Sequence, residues 1–506
     1  MRLLSTLHGT GVQRVLMMPD KAGIRAMLTR NLKRELGAFQ LVMLGIGAII
    51  GTGIFVLTSE AAQKAGPGMM ASFVIAGFVC AVTALCYAEL AAMVPVSGSA
   101  YTYAYAVLGE LVAWCVGWAL VLEYAVAASA VCVGWSKYAT GLVEHSLGIQ
   151  LPDALTLGYF EGGAINLPAI FIGLLVTALL VRGTRESETL NAVLVAVKLF
   201  ALALFVVLTV PAIDDANFHP FAPLGTAGVI GAAASIFFAY VGFDAISTAA
   251  EETRDPQRNV PIGLIGALVI CTVFYLLVAA GAIGSYGAMP VLAADGTALA
   301  SGSSALAARC AELASPLPLA CSGEALAHVL RVIGHPVASN LLGLCVFIAL
   351  PSVILTMIFG QTRIFFVMAR DGLLPEVLGK THAKYRTPHV VTIATGIGVV
   401  FGAAFFPVGK LADISNSGTL FAFLVVSLAV MMLRRREPER PRSFRTPAIW
   451  VIGPLSVAGC IVLFAYLPTA AKLVFPVWGA IGLAVYFAYS RRRSHMREGG
   501  GAIVPD

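Results

Sequence analysis

Residues 45–55 read GIGAIIGTGIF, four glycines in eleven positions inside one of the most apolar stretches of the chain. Glycine in a helix interior costs about 1 kcal/mol relative to alanine, so this density needs a reason. A dinucleotide fingerprint, G-x-G-x-x-G after a strand, is set aside because Ile50 stands where the third glycine belongs and the surroundings read as a membrane span. Two readings stay open. Gly47 and Gly51 form a G-x-x-x-G spacing that lets two helices approach closely. Alternatively Gly51-Thr52-Gly53 breaks the helix in mid-span, where irregular backbone is tolerated only if it faces a cavity. Unwound backbone offers N–H groups to an anion and carbonyls to a cation, and a zwitterionic amino acid carries one of each.

The whole chain sets the frame for that choice. Its 506 residues are 58% hydrophobic and only 12% charged, with a mean hydropathy of +0.87, against roughly 25% charged residues in a soluble domain. Apolar runs of about twenty residues, the length that crosses the hydrocarbon core, recur from Phe39 onward. They predict an all-α integral membrane protein of about twelve spans, near 39–59, 69–94, 110–140, 165–182, 188–211, 226–249, 262–287, 338–369, 388–407, 412–433, 449–471 and 474–490. The segments that share a side with the N-terminus collect most of the arginines, including Arg434, Arg435, Arg436, Arg440, Arg442 and Arg445. By the positive-inside rule both termini are expected in the cytoplasm, in a multi-pass protein of the cytoplasmic membrane. The net charge of +6 then reports topology, and no nucleic-acid partner is implied.

A second interruption is expected if the first is a true break. Five spans later, SIFFAYVGFDAISTAAEETRDPQRNVP at 235–261 carries Gly242 and Asp244 inside a span. A carboxylate there costs roughly 2.5–3.5 kcal/mol on insertion scales and is functional by default. Matching breaks in spans one and six point to an inverted-repeat transporter. The expected organisation is a cytoplasmic segment 1–37 and a transport core 38–433, the core made of repeats 38–211 and 224–433 with an outer insertion 288–337. A basic loop 434–448, spans eleven and twelve at 449–490 and a tail 491–506 complete it. Cys310 and Cys321 lie in the outer insertion, where an oxidising compartment allows either a disulfide or two free thiols.

Lys198, in LNAVLVAVKLFALALFVV, sits about ten residues, roughly 15 Å, from either end of its span, too far to snorkel comfortably. It reads as a proton-coupling group or as half of a structural ion pair. Glu123 in span three is a second intramembrane charge, and Glu89 reads as a packing or inner-gate residue. Charges Glu251, Glu252, Arg254, Asp255 and Arg258 past span six are read as inner-gate ion pairs or a solvated turn. PVSGSAYTYAY at 95–105 is expected to be an inner loop with tyrosines at the membrane interface. No histidine has metal-ligand spacing, no phosphate loop is present, and no catalytic cluster supports an enzyme.

The stretches RNLKRELGAFQLVMLGIGAIIGTGIFVLTSEAA (30–62), WALVLEYAVAAS (118–129), FFAYVGFDAISTAAEETRDPQRNVPIG (237–263) and FGQTRIFFVMARDGLLP (359–375) resemble amino-acid permeases of the amino acid/polyamine/organocation superfamily. Within it, they are most similar to bacterial members of the cationic amino acid transporter family. The resemblance implies the LeuT fold, a 5+5 inverted repeat with broken helices one and six and two additional C-terminal helices. It implies that the backbone N–H groups around Gly51, Thr52 and Gly53 hold a substrate carboxylate. The carbonyls of Ile49, Phe238 and Val241 would take its amino group, Phe238 would gate the site or simply face core or lipid, and Asp244 would lie beside it with Glu123 as its neighbour, either contacting the amino group directly or through water or forming a structural pair. Thr356 and Met357 fall in the expected side-chain pocket, and Lys198 stands where sodium-coupled relatives place a cation. The expected function is amino-acid import by proton symport through alternating access. It needs no cofactor beyond the proton, no ATP and no obligatory protein partner. A facilitator or exchanger on the same fold, or an amino-acid sensor, are the alternatives.

Overall fold

The computed structural model describes residues 36–93, 99–183, 188–249, 252–382, 384–385 and 387–491. Among these the chain is helical throughout, with two isolated β-bridges as its extended pairings. Nine helical stretches are long and apolar enough to cross a membrane, and Ala38–Ile49, Leu167–Arg182 and His389–Phe405 are shorter apolar helices. Sequence predicts the first span as 39–59, and the structure divides it into α1 (Ala38–Ile49), α2 (Thr52–Phe55) and α3 (Leu57–Ala65). A Gly66–Gly68 turn leads into α4 (Met69–Met93).

Residues 99–108 correct an expectation. Instead of an interfacial loop they form α5 (Ser99–Leu108), and Tyr101 and Tyr103 are fully buried. Tyr103 stacks edge-on against Tyr87 of α4, and the Tyr101 hydroxyl donates to Asp371 at 2.8 Å. Tyr101 and Tyr105, four residues apart, share one side of the helix while Tyr103 leaves from another, and both Tyr101 and Tyr103 find protein partners in place of the membrane surface. Residues 95–98 of that stretch lie outside the described residues.

The long α6 (Glu110–Leu147) is the central post. It is followed by α7 (Leu167–Arg182), which packs against it, and by α8 (Glu188–Thr209), α9 (Gly225–Ile236), the short α10 (Ala245–Thr248) and α11 (Pro256–Tyr286). The insertion folds as α12 (Ser304–Glu312) and α13 (Ala325–Val332). Then follow α14 (Pro336–Arg370), α15 (His389–Phe405), α16 (Val408–Arg436), α17 (Ile449–Tyr466) and α18 (Thr469–Val485). The post packs along α14 and α16, while α11 packs along α1 and α4. In lipid there is no hydrophobic gain from joining helices, so close packing of small residues carries this assembly. Large apolar side chains such as Val451, Val477 and Ile397 remain on the outside, as lipid contact requires.

Candidate functional site

The glycine-rich stretch serves both surviving readings. Gly47 packs against Val195 and Asn191 of α8, so close approach is part of its use. Two or three residues on, the helix ends: Ile50 is extended (φ −74°, ψ 100°), Gly51 is more extended still (φ −146°, ψ −150°), and helix resumes at Thr52. The interruption thus falls at Ile50-Gly51, slightly earlier than Gly51-Thr52-Gly53. Amides at the start of the resumed segment have no intrahelical acceptor, as at every helix N-terminus.

The second interruption follows α9. Residues Phe237–Tyr240 tighten to a 3-10 turn, Val241 is extended, and Gly242 takes φ +114°, a region closed to most L side chains. The two breaks lie against each other. A β-carbon on Gly53 would strike the backbone of Ala239, and one on Gly242 would come within 2.8 Å of the Ala48 carbonyl oxygen. Glycine at both positions is what lets the interrupted strands of backbone touch.

Two carboxylates border this contact. Asp244 is 1% exposed, and its Oδ2 accepts from the Tyr124 hydroxyl at 2.8 Å and from Ser99 Oγ at 3.3 Å. Its Oδ1 has no hydrogen-bond partner among the described residues. Glu123, equally buried, precedes Tyr124 on α6, and its Oε2 is likewise unpartnered among the described residues, as is Thr52 Oγ1. Buried polar atoms are normally satisfied, and these three keep hydrogen-bonding capacity to spare close to the double break. Phe238 is buried, and its carbonyl accepts from Val241 N at 3.2 Å.

Lys198 reaches this region from α8. It is 1% exposed, and its Nζ donates to the Gly47 carbonyl at 2.7 Å, one turn before the first break. Tyr275 of α11, unmarked by anything in its local sequence, spans both breaks: its hydroxyl lies 3.1 Å from the Ile49 carbonyl and 2.8 Å from that of Ala239. Asn416 of α16 does similar work for α9, its amide donating to the carbonyls of Ala234 and Ser235, each at 2.9 Å. A tyrosine within an apolar run carries no local signal. Asn416 and Asp413 do carry one, polar side chains within an apolar span.

Of the expected pocket residues on α14, Met357 is buried and Thr356 spends its hydroxyl on the Ser352 carbonyl of its own helix. The side chain of α14 that meets the first break is Val353, 3.4 Å from where a Gly51 β-carbon would be. Met357 is one turn further along that face.

Polar locks lie toward both ends. On one side Lys64 of α3 donates to Ser235 at 2.5 Å and pairs with Asp413 of α16 at 3.3 Å, while Ser235 donates to Asp413 at 2.5 Å. On the arginine-rich side Glu89 accepts from Arg434 at 2.6 and 2.7 Å and from the Thr446 amide at 2.8 Å, with Arg442 at 3.1 Å. Glu89 therefore ties the basic loop to α4. Glu252 and Arg254 join through their backbones to Leu36, at the start of α1, while Glu251 lies outside the described residues. Cys310 and Cys321 are bridged, with Cα atoms 5.7 Å apart. No cluster of side chains suited to a metal ion occurs among the described residues.

This geometry can be set beside known proteins. A family model described as amino acid permease matches residues 36–487. The chain is 42% identical over 473 residues to the branched-chain amino acid permease BcaP of Bacillus subtilis (strain 168), covering 93% of this chain and 96% of that one. It is 40% identical over 473 residues, with the same coverage, to the methylthioribose transporter of the same organism. With cationic amino acid transporter 9, chloroplastic, of Arabidopsis thaliana it shares 33% over 455 residues, 88% of this chain and 74% of that one. The chain is a multi-pass membrane transporter and not an enzyme, and it belongs to the amino acid permease family.

Proposed function

We propose that the chain imports amino acids across the cytoplasmic membrane by proton symport, with both termini inside and with alternating access around the double break. In this reading the twelve expected spans are the nine long and three short apolar helices, arranged as the LeuT-type 5+5 repeat with α17 and α18 outside it. The substrate carboxylate takes the free amides around Gly51, Thr52 and Gly53. Its ammonium group takes backbone carbonyls at Ile49, Phe238 and Val241, with Asp244 and Glu123 supplying unsatisfied oxygens nearby. The proton is the coupling ion, and no other cofactor is required.

The observation that carries the coupling is the 2.7 Å bond from Lys198 Nζ to the Gly47 carbonyl. A protonated lysine makes this a charge-assisted bond, roughly twice as strong as a neutral one. Loss of the proton weakens the hold on α1 beside the break and leaves it easier to move. Proton occupancy and helix position are thereby linked, as symport requires.

The test is uptake of a panel of labelled amino acids into proteoliposomes, with and without an inward proton gradient, for the wild type and Lys198→Ala. Gradient-driven accumulation that disappears in the variant supports symport through Lys198. Uptake that ignores the gradient in both proteins overturns it in favour of an exchanger or facilitator, and specific binding without flux favours a sensor. One observation favours a second reading of the substrate. A relative 40% identical is named a methylthioribose transporter, so methylthioribose belongs in the panel beside branched-chain and cationic amino acids.

A further inference from the structure

The start of α11 and the basic loop between α16 and α17 enclose a groove far from the double break. Its volume is about 570 Å³, within the range of small-molecule pockets, and its walls include Asp255, Arg258, Ile262, Ile265, Ser443 and Phe444. The walls are sorted by depth. Asp255 and Arg258 flank the first turn of α11 and are exposed, as is Ser443 of the loop. Ile262 and Ile265 follow roughly 6 and 10 Å further along the helix, in the direction of the hydrocarbon, and Ile262 is 43% exposed. Phe444 closes the groove from the loop side, and it is firmly held. Its neighbours Arg442 and Thr446 both bind Glu89 of α4, at 3.1 and 2.8 Å.

The two charges at the mouth are idle. Neither the Asp255 carboxylate nor the Arg258 guanidinium has a hydrogen bond or ion pair among the described residues. Other arginines on this side are engaged: Arg434 and Arg442 with Glu89, Arg440 with Glu437, and Arg435 over the Trp450 ring. A free phosphate would leave the apolar part of the groove wet, and a plain hydrocarbon would leave both charges without a partner. An amphiphile with one charge of each sign answers to both halves. We infer that the groove holds one phospholipid with a primary-ammonium head, phosphatidylethanolamine, its phosphate on Arg258, its ammonium on Asp255 and one acyl chain along Ile262, Ile265 and Phe444. Phosphatidylcholine has no N–H to give Asp255, and phosphatidylglycerol brings it no positive charge. The inference needs only the membrane location of the chain and is independent of the symport reading. A lipid seated here bridges two bodies: α11, which rests on α1 through Gly263 and Leu41, and the loop that Glu89 ties to α4.

The experiment uses the full-length protein in phosphatidylcholine liposomes carrying a trace of phosphatidylethanolamine with a photoactivatable diazirine on one acyl chain. Adducts formed on illumination are mapped by peptide mass spectrometry, with unlabelled phosphatidylethanolamine, phosphatidylcholine or phosphatidylglycerol added as competitor. Adducts are expected to concentrate on 257–266 and 443–445, displaced by phosphatidylethanolamine at about one tenth of the concentration the other two require. Arg258→Gln and Asp255→Asn each remove one charge-assisted bond and are expected to cut that labelling about tenfold. Labelling around Phe487, exposed on another helix, stays at the parent level in both and shows that the variants are folded. Ile262→Trp fills the groove without touching either charge and is expected to lower the labelling as well. Adducts spread evenly over the lipid-facing helices, or competition blind to the head group, overturn the proposal. Labelling lost in Ile262→Trp but kept in both charge variants overturns the head-group assignment, as does displacement by phosphatidylglycerol ahead of phosphatidylethanolamine.

Discussion

The two helix breaks are built from the same materials but held by different ones. At the first, the carbonyls of Gly47 and Ile49 are met by an ammonium group from α8 and a phenol from α11. At the second, the carbonyls of Ala234, Ser235 and Ala239 are met, among the described residues, by the Asn416 amide and the same Tyr275 phenol, while Lys64 reaches the Ser235 hydroxyl and no carbonyl there. A neutral donor holds its acceptor alike at every pH near neutrality. A lysine does not, because its bond strength depends on its proton. On the proposed symport reading, the first break is the one that moves with the proton and the second supplies a fixed wall. Tyr275, bonded to both, keeps them in register.

Substitutions can break or sharpen this contrast. The largest effect is expected where the breaks touch. Gly53→Val drives a side chain into the Ala239 backbone, an overpacking strain of about 1–3 kcal/mol at the site itself, and uptake and counterflow both fall to background while membrane expression persists. Gly242→Val adds an unfavourable φ to a similar clash and is expected to match it. Next comes Lys198→Ala, which tests whether the first break is the proton-linked one. Accumulation against a gradient is lost, but exchange of labelled for unlabelled substrate at equal pH survives. Loss of both would show that Lys198 is needed to hold α1 and not specifically to couple it.

A smaller effect is expected from Tyr275→Phe, which leaves the packing and removes bonds to both breaks. The one phenol proton is shared between two carbonyls, so at about 0.6 kcal/mol for an interhelical bond uptake falls roughly threefold with the proton dependence intact. A changed proton dependence would mean that Tyr275 belongs with Lys198 and not with the fixed wall. The smallest effect belongs to the double substitution Cys310→Ser/Cys321→Ser, remote from either break. Its transport should stay within about twofold of wild type, since closing a short loop acts mainly on the unfolded chain. Thermal melting and uptake measured on the same preparation check this.

How much of the site is legible depends on whether a residue is unusual for its surroundings. Glycines in an apolar helix, an aspartate beyond a break and a lysine far from either end of its span all cost free energy that a plain membrane helix would avoid. Those costs make Gly51, Gly53, Gly242, Asp244 and Lys198 conspicuous. Tyr275 and Val353 cost nothing where they stand, so nothing in their neighbourhood flags them. Asp413 is conspicuous by the same rule as Asp244, but its pairing with Lys64 needs 349 residues of chain to come together. Tyr101 and Tyr103 suit the interface by sequence because amphipathic rings favour that depth, and a tertiary partner overrides the preference.

A many-helix membrane protein follows from the order of residues alone, because hydrocarbon forbids unpaired backbone and leaves the long apolar run as its signature. That order also determined where two of those helices cannot continue, because glycine and charge act locally. The folded chain adds that the two interruptions lie back to back, that a lysine from a third helix grips one of them, and that a tyrosine from a fourth joins both. It also decided that the insertion 288–337 is bonded to α3 near one end and to α6 near the other. These are contacts between residues distant in the chain, and an individual hydrogen bond between two helices leaves no periodicity or composition in either one to be read.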